Sequence, residues 1–554
     1  MSADRFIFRS TQTIGAAAAE QDDSYLTECF VDTGILSILR DCSDHRCILV
    51  GRTGAGKSAL IARLREENEH AIAIHPDSLS LAYISNSTVI KFFAEAGVNL
   101  NLFYRLLWRH VFVVEVLKER FGIDSEHQKQ SFLTSIWNTI TRNKKYEMAL
   151  DYLKEWGDSF WQETDYRVKE VTNKLEKDLQ GAVEESVPGF GKINFTAAKK
   201  LTNEQKEEIV NRGQQVVNKI QIKELSAIRD LLDEVLLSDR KKKYYITIDK
   251  LDDDWVEDKL RFQLIRALIE TSLEFTKINN IKVIVALRSD LLDRVYRFTR
   301  DPGFQEEKYR TSSLDLTWPK DKLIEVLNRR IDKLVKSQYT KQPVTYKDLL
   351  PSMRLSKRQI VPAIDYMIDR TLLRPRDLIQ FFNICISQSD EKTVIESRAL
   401  IAAEGIYSRE RFRALVDEWI GVYPNLALSA QILRKRSSNF KVYDLPLDDV
   451  EENCLQAVTS PEAVEASDLE AMRKVAEGKS QPVIYRKDLF LILYKVGLVG
   501  IRTNSSMPIS WSFLGSPSVS GAEIEDESRI YIHPTFWRHF GISDTKLESG
   551  EGGD

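Results

Sequence analysis

The sequence predicts an α/β fold, a parallel sheet covered by helices, and three observations carry that expectation. An apolar strand from Cys47 to Val50 runs into the glycine-rich stretch GRTGAGKS, after which Ala59, Leu60, Ile61 and Leu64 continue at helical spacing. The run YYITID at 244–249 is apolar and β-branched throughout, the character of a strand buried on both faces. After a helix expected from about Val256 to Phe275, KVIVALRSD at 282–290 repeats that character, so strand, helix and strand alternate as in a parallel sheet.

The other elements fall around this frame. Residues 1–24 read as a flexible N-terminus, polar and rich in alanine, and a short helix is expected near Gly34 to Leu39. A second strand fits Ala71 to His75, and a helix fits Leu102 to Phe121. Residues 123–238 are rich in Lys, Glu and Gln with apolar stripes such as Tyr166, Val168, Val171, Leu175 and Leu179, which predicts a long helical insertion. It divides a core of 25–122 and 239–318, whose last strand is expected at Leu314 to Trp318. From 319 to 440 the pattern is helical, with Leu323, Val326, Leu327 and Ile331 on one face, and predicts a helical lid. Residues 441–545 end in a helix, a strand, a Ser/Gly-rich loop and a second strand, a winged-helix-like order, and 546–554 read as a disordered tail.

A chain of 554 residues exceeds what one hydrophobic core supports, so several folding units are expected. A formal charge of −4 excludes a global basic field, and any nucleic-acid contact must be local. The five cysteines are scattered without the paired spacing of a zinc site, which suits reduced thiols. No apolar run is long enough to span a bilayer and MSADRFIFRSTQ has no signal-peptide core, so the expectation is a cytoplasmic protein without membrane contact.

Gly51, Arg52, Thr53, Gly54, Ala55, Gly56, Lys57 and Ser58 fulfil the phosphate-loop pattern between a strand and a helix, with Ala59 continuing into the helix. Glycines let backbone N–H groups curl toward phosphate, and the helix N-terminus adds its positive end. ATP with Mg2+ is the expected ligand pair, Lys57 reaching the β- and γ-phosphates and Ser58 ligating the metal. Asp249, at the end of an apolar strand, is the second metal residue. Lys250 follows where many ATPases carry an acid, so the water-activating base is sought at Asp252, while Asp253 and Asp254 read as a solvated acidic loop. Arg288, closing the next strand, is a γ-phosphate sensor candidate; the alternative is an arginine capped by Asp290. Arg376 in LRPRDL begins a helix of the lid from which it can close onto nucleotide. Arg300 and Arg310 are candidate arginine fingers for a homo-oligomer, with solvated arginines as the plainer reading. His533 and His539, among Phe536 and Trp537, read as packing residues.

The order GRTGAGKS, YYITIDKLD, VALRSD and RPRDL resembles the Walker A, Walker B, sensor 1 and sensor 2 elements of AAA+-related STAND and KAP ATPases. The D-x-L-D arrangement is similar to the Walker B of NACHT and KAP proteins, and this implies that Asp252 assists hydrolysis. With its helical insertion the chain resembles little-characterised bacterial P-loop ATPases, several of them in antiviral defence loci. The resemblance covers about Tyr25 to Asn383 and implies an ATP-driven switch whose lid closes on nucleotide and which signals to a protein effector partner. Lys250 departs from the KAP pattern and bears on hydrolysis rather than binding. Two other functions stay open: a DNA-binding ATPase of loader or initiator type, setting Arg486, Lys487, Lys495 and Arg502 against phosphates, and an inactive nucleotide-binding scaffold.

Overall fold

A computed structural model describes residues 6–76, 98–121, 242–253, 257–300, 306–336, 343–354, 360–514 and 519–543, with a few isolated positions between 90 and 215. The helical insertion expected at 123–238, those few positions apart, Asp254 and the tail at 546–554 lie outside the described residues. The chain divides into two compact units. The sheet unit comprises Gly34–Gly51 and Lys57–Asp315; the C-terminal unit comprises Met1–Thr33, Arg52–Gly56 and Leu316–Asp554.

In the sheet unit, β1 (Ile48–Val50), β2 (Ala71–Ile74), β3 (Tyr244–Ile248), β4 (Ile281–Leu287) and β5 (Ser313–Asp315) form one sheet in the order β2-β3-β4-β1-β5. All four pairings are parallel. Every residue of β3 and β4 is buried, which is why these strands read as unbroken apolar runs, whereas β2 at the edge alternates. Helix α1 (Lys57–Glu67) follows β1; α2 (Asn101–Phe121) packs on α3 (Asp258–Phe275), where Trp108 Nε1 donates to the Leu264 carbonyl at 2.9 Å. Helix α4 (Ser289–Thr299) follows β4 directly. The last strand stops at Asp315 instead of reaching Trp318, because Trp318 leaves the ladder and its Nε1 donates to the Ala55 carbonyl at 2.6 Å.

In the C-terminal unit, α5 (Lys320–Lys336), α6 (Pro375–Ser387) and α7 (Ser397–Trp419) supply the apolar faces expected of the lid. The segment is not helical throughout: β6 (Ser352–Arg354) and β7 (Ile360–Pro362) form an antiparallel ribbon. Pro351 and Pro362 bracket it, and each removes a helix donor and disfavours helical backbone in the residue before it. The N-terminal segment also differs from the flexible one expected. Phe8 and Ile14 are fully buried, Arg330 Nη1 donates to the Ile14 carbonyl at 2.9 Å, and Arg330 pairs with buried Asp22. Two apolar side chains in a polar stretch are enough to anchor it. Beyond the lid, α8 (Leu447–Thr459), α9 (Ser467–Ala476) and α10 (Pro482–Val496) pack with an antiparallel sheet of β8 (Asn439–Lys441), β9 (Val499–Arg502) and β10 (Arg529–Ile532), ordered β8-β10-β9. Among the described residues no helix is long and apolar enough to cross a membrane.

Candidate functional site

The sheet brings several predicted residues to one edge. Neighbouring β3 and β4 pair Ile248 with Val285, and β1 pairs Val50 with Leu287, so Gly51, Asp249 and Arg288 all follow the carboxyl ends of adjoining strands. The Gly51 amide still donates to the Leu287 carbonyl at 3.2 Å, and the Lys57 ammonium donates to the Gly51 carbonyl at 2.8 Å. Ser58 and Ala59 lie half-buried in the first turn of α1. Asp249 Oδ1 accepts the Lys250 amide at 2.9 Å, and Lys250 turns the chain at φ +60°, a left-handed conformation unusual for a side chain of its size. Leu251, buried, pins the turn, and Asp252 emerges into solvent. The carboxylate of Asp249 and the hydroxyl of Ser58 are hard oxygen donors, a set whose chemistry fits magnesium.

Arg288 is capped by Asp290, the plainer of its two readings, and also reaches Asp252. Its Nε and Nη2 fork onto Asp290 at 2.9 and 3.0 Å, and its Nη1 donates to Asp252 Oδ2 at 3.2 Å. The turn at Lys250 therefore brings the candidate base and the candidate sensor together. Asp253 has a different part: its carbonyl accepts from Arg261 at 3.0 Å. Arg310 is exposed and pairs with Glu306 at 2.8 Å, the plain reading of that residue, and Arg300 lies just past α4.

The middle of the glycine loop, Arg52–Gly56, belongs to the C-terminal unit, which holds it residue by residue. Gly54 and Gly56 adopt φ of +79° and +98°, and the Ala55 amide donates to the Arg52 carbonyl at 3.1 Å to close a tight turn. The Thr53 carbonyl accepts from Arg374 Nη1 at 2.7 Å, and the Ala55 carbonyl from Trp318. A Cβ at Gly54 would lie 2.7 Å from Arg376 Cβ, so glycine is required there by contact as well as by φ. Arg376 thus sits directly on the loop, its Nε donating to the Ala17 carbonyl at 3.1 Å. Burial, then the neighbouring Arg374 and Arg411, lowers its pKa.

Beneath the loop lies a buried charge cluster. Arg374 contacts Asp377 at 3.0 Å and Glu418 at 3.4 Å, while Arg411 reaches Glu418 at 3.1 Å and Asp377 at 3.6 Å. Burial by itself opposes each of these charges. In Arg374 it is outweighed by Asp377 and Glu418, and the pKa is raised; in Asp377 it is outweighed by Arg374 and Arg411, and the carboxyl is held below its usual range. Leu373, at φ +50°, aims Arg374 into the cluster from a left-handed turn. Arg52 joins from the loop itself, its Nε 3.5 Å from Glu418, and burial lowers its pKa to about 10. Sequence reasoning named Arg376 and missed Arg374, Arg411, Glu418 and Trp318. The three-residue spacing of Arg374 and Asp377 was a usable signal; nothing local links Arg411 and Glu418 to them.

Two of the four basic residues considered for DNA phosphates are spent elsewhere. Arg486 is buried, donating to the Leu445 carbonyl at 2.9 Å and pairing with Asp526 at 2.9 Å. Arg502 Nε donates to the Asn504 and Met507 carbonyls of its own loop at 3.2 and 2.9 Å. Lys495 is exposed and Lys487 half-buried. His533 is packed as expected: Nδ1 accepts the Thr535 amide at 3.2 Å, and the ring lies edge-on to Trp511 and Phe513. Its pKa is lowered to about 3 by burial. His539 stacks on Phe412.

The sheet unit is thus a parallel α/β layer, and within the C-terminal unit a helical segment grips the glycine turn Arg52–Gly56. Within that segment, residues 321–416 match the family model of the FunZ-associated C-terminal helical domain, which takes in Arg374, Arg376, Asp377 and Arg411. Over nearly its whole length the chain is similar to the putative transposon gamma-delta 80.3 kDa protein of Escherichia coli (strain K12). The two are 23% identical over 564 aligned positions, which cover 98% of this chain and 69% of that protein.

Proposed function

We propose that this chain is an ATP-binding and ATP-hydrolysing molecular switch that signals to a protein partner. The observation that carries the reading is the conformation of the glycine loop. Gly54 and Gly56 hold left-handed backbone between a buried strand and a helix, while Arg374 and Trp318 take the carbonyls of Thr53 and Ala55 from outside. A loop whose carbonyls are claimed on one side is suited to offering amides to phosphate on the other. Lys57 supplies the charge for the β- and γ-phosphates; Ser58 and Asp249 would hold magnesium, which neutralises phosphate charge when bound. Asp252, three residues beyond Asp249 and paired with Arg288, orients and deprotonates the attacking water. Arg288, tied to Asp290, keeps a guanidinium at that sheet edge for the developing charge.

The relative is named for a transposon, which supports a setting on mobile genetic elements; the defence setting rests on the sequence resemblance alone. Direct reading of duplex DNA by α10 is less well supported, since Arg486 and Arg502 are engaged within their own unit. The test is steady-state ATP turnover with magnesium. Lys57→Ala should abolish it, and Asp252→Asn should lower it by roughly 10²–10⁴-fold while nucleotide still binds. Turnover unchanged in Asp252→Asn would remove that residue from the chemistry; turnover unchanged in Lys57→Ala would remove the loop.

A further inference from the structure

Arg52 stands at a position of the glycine loop whose side chain the phosphate-loop pattern leaves unspecified, yet its guanidinium is held by two partners distant in the chain. Its Nη2 donates to the carbonyl of Val496, the last residue of α10, at 2.6 Å. Gly497 ends that helix at φ +90°, and a Cβ there would stand 2.7 Å from Arg52 Nη1. The guanidinium therefore fills the space a side chain would need and occupies the negative end of a 15-residue helix. Its Nε faces Glu418 at 3.5 Å, and Glu418 also binds Arg374 and Arg411. Arg374 in turn holds the carbonyl of Thr53, the residue after Arg52. The loop thus reaches the end of α10 through Arg52, and Glu418 and Arg374 brace that arginine in a circuit that closes on Thr53 of the same loop.

This closed circuit has an electrostatic consequence. The cluster brings three guanidinium groups into low dielectric beside two carboxylates, so it is sensitive to charge arriving at the loop backbone next to it. A phosphate chain on that backbone adds negative charge and favours the arrangement in which all three cations converge. The position of Arg52, and with it the capping of α10, then depends on whether the loop is filled. Packed cores and ion clusters change between discrete arrangements, which makes such a link a switch rather than a graded spring.

We propose that Arg52 is a positioning residue that relays occupancy of the glycine loop by a nucleoside triphosphate to the C-terminal end of α10 and the adjoining strand β9. The proposal rests on the nucleotide-binding reading above. By linkage, stabilising α10 strengthens nucleotide binding by the same factor that nucleotide stabilises α10.

The experiment is amide hydrogen exchange on the full chain, with and without Mg-ATP, for wild type, Arg52→Ala and Arg52→Lys, each at a nucleotide concentration that fills it as judged by calorimetry. In wild type, exchange over 490–502 should slow on the order of tenfold when nucleotide is added. That slowing should vanish in Arg52→Ala. It should fall at least about threefold in Arg52→Lys, whose ammonium lacks the planar fork that sets Nη2 on Val496 while Nε faces Glu418. The lysine variant keeps the charge in the cluster, so it decides the matter should the alanine variant fail to fold. Wild type that binds nucleotide without slowing at 490–502, or variants that slow as wild type does, would overturn the relay and leave the binding reading intact. A folded lysine variant that cannot be filled would also overturn it, since Arg52 would then act in binding. Wild type that binds no nucleotide would end both.

Discussion

Arg288 and Arg374 present the same group to the same kind of partners, an arginine against two carboxylates, but one of the two partners of Arg288 is open to water. Arg288 meets Asp252 and Asp290 at a sheet edge where Asp252 is 38% exposed. Arg374 meets Asp377 and Glu418 where neither carboxylate side chain exceeds 2% exposure. Water makes the difference. At the edge, buried Asp290 holds Arg288 in place and solvent screens only its bond to Asp252, so Asp252 is the member able to turn. In the cluster the partners are fixed, and the arginine serves the loop by holding the Thr53 carbonyl. One arrangement suits chemistry and the other suits support.

The comparison breaks most decisively if the two carboxylates respond alike to removal. Asp377→Ala should cost about 3–5 kcal/mol in denaturant unfolding, because it leaves buried guanidinium groups uncompensated. Asp252→Ala should cost less than about 1 kcal/mol. Equal losses would show that burial does not separate the two sites.

The cluster's surroundings also set a pH response. His533 is held neutral down to about pH 3, whereas in the unfolded chain it titrates near 6.5. Below 6.5 the unfolded chain therefore binds a proton that the folded chain refuses, so stability falls as pH falls from 6.5 toward 3. The slope should reach at most about 1.4 kcal/mol per pH unit. In His533→Asn an amide oxygen can accept the Thr535 amide in place of Nδ1 and does not titrate, so unfolding between pH 4.5 and 6.5 should lose most of that slope. An unchanged slope would mean that other groups carry it.

A smaller effect sharpens the account of the loop. Gly54→Ala should destabilise by about 1–3 kcal/mol, combining left-handed backbone with the 2.7 Å approach of Arg376 Cβ. Measured in Arg376→Gly, the same substitution should cost less, since only the backbone part remains. An undiminished cost would show that Arg376 does not press on the loop.

Local pattern made the sheet legible. β3 and β4 were visible because strands buried on both faces carry no polar alternation, and the glycine loop because its residues are consecutive. The pairing of Arg288 with Asp290 was visible at two-residue spacing. Asp252 was found as an acid, but its bond to Arg288 depends on the register of neighbouring strands. The cluster was hidden for the same reason: Arg52, Arg374, Arg411 and Glu418 come from three distant stretches and meet only through tertiary packing. Phe8 and Ile14 were masked by the polar residues around them, and β6 and β7 by apolar residues that fit a helix as well as a ribbon.

The claim under all of this is that the loop from Gly51 to Ser58 binds a nucleoside triphosphate. Calorimetric titration of Mg-ATP into folded wild type and folded Lys57→Ala tests it most directly. The account predicts saturable one-site binding in wild type that weakens at least about a hundredfold in the variant, the scale of a charge-assisted phosphate contact. Wild type without measurable association, or a variant that binds as wild type does, would contradict it.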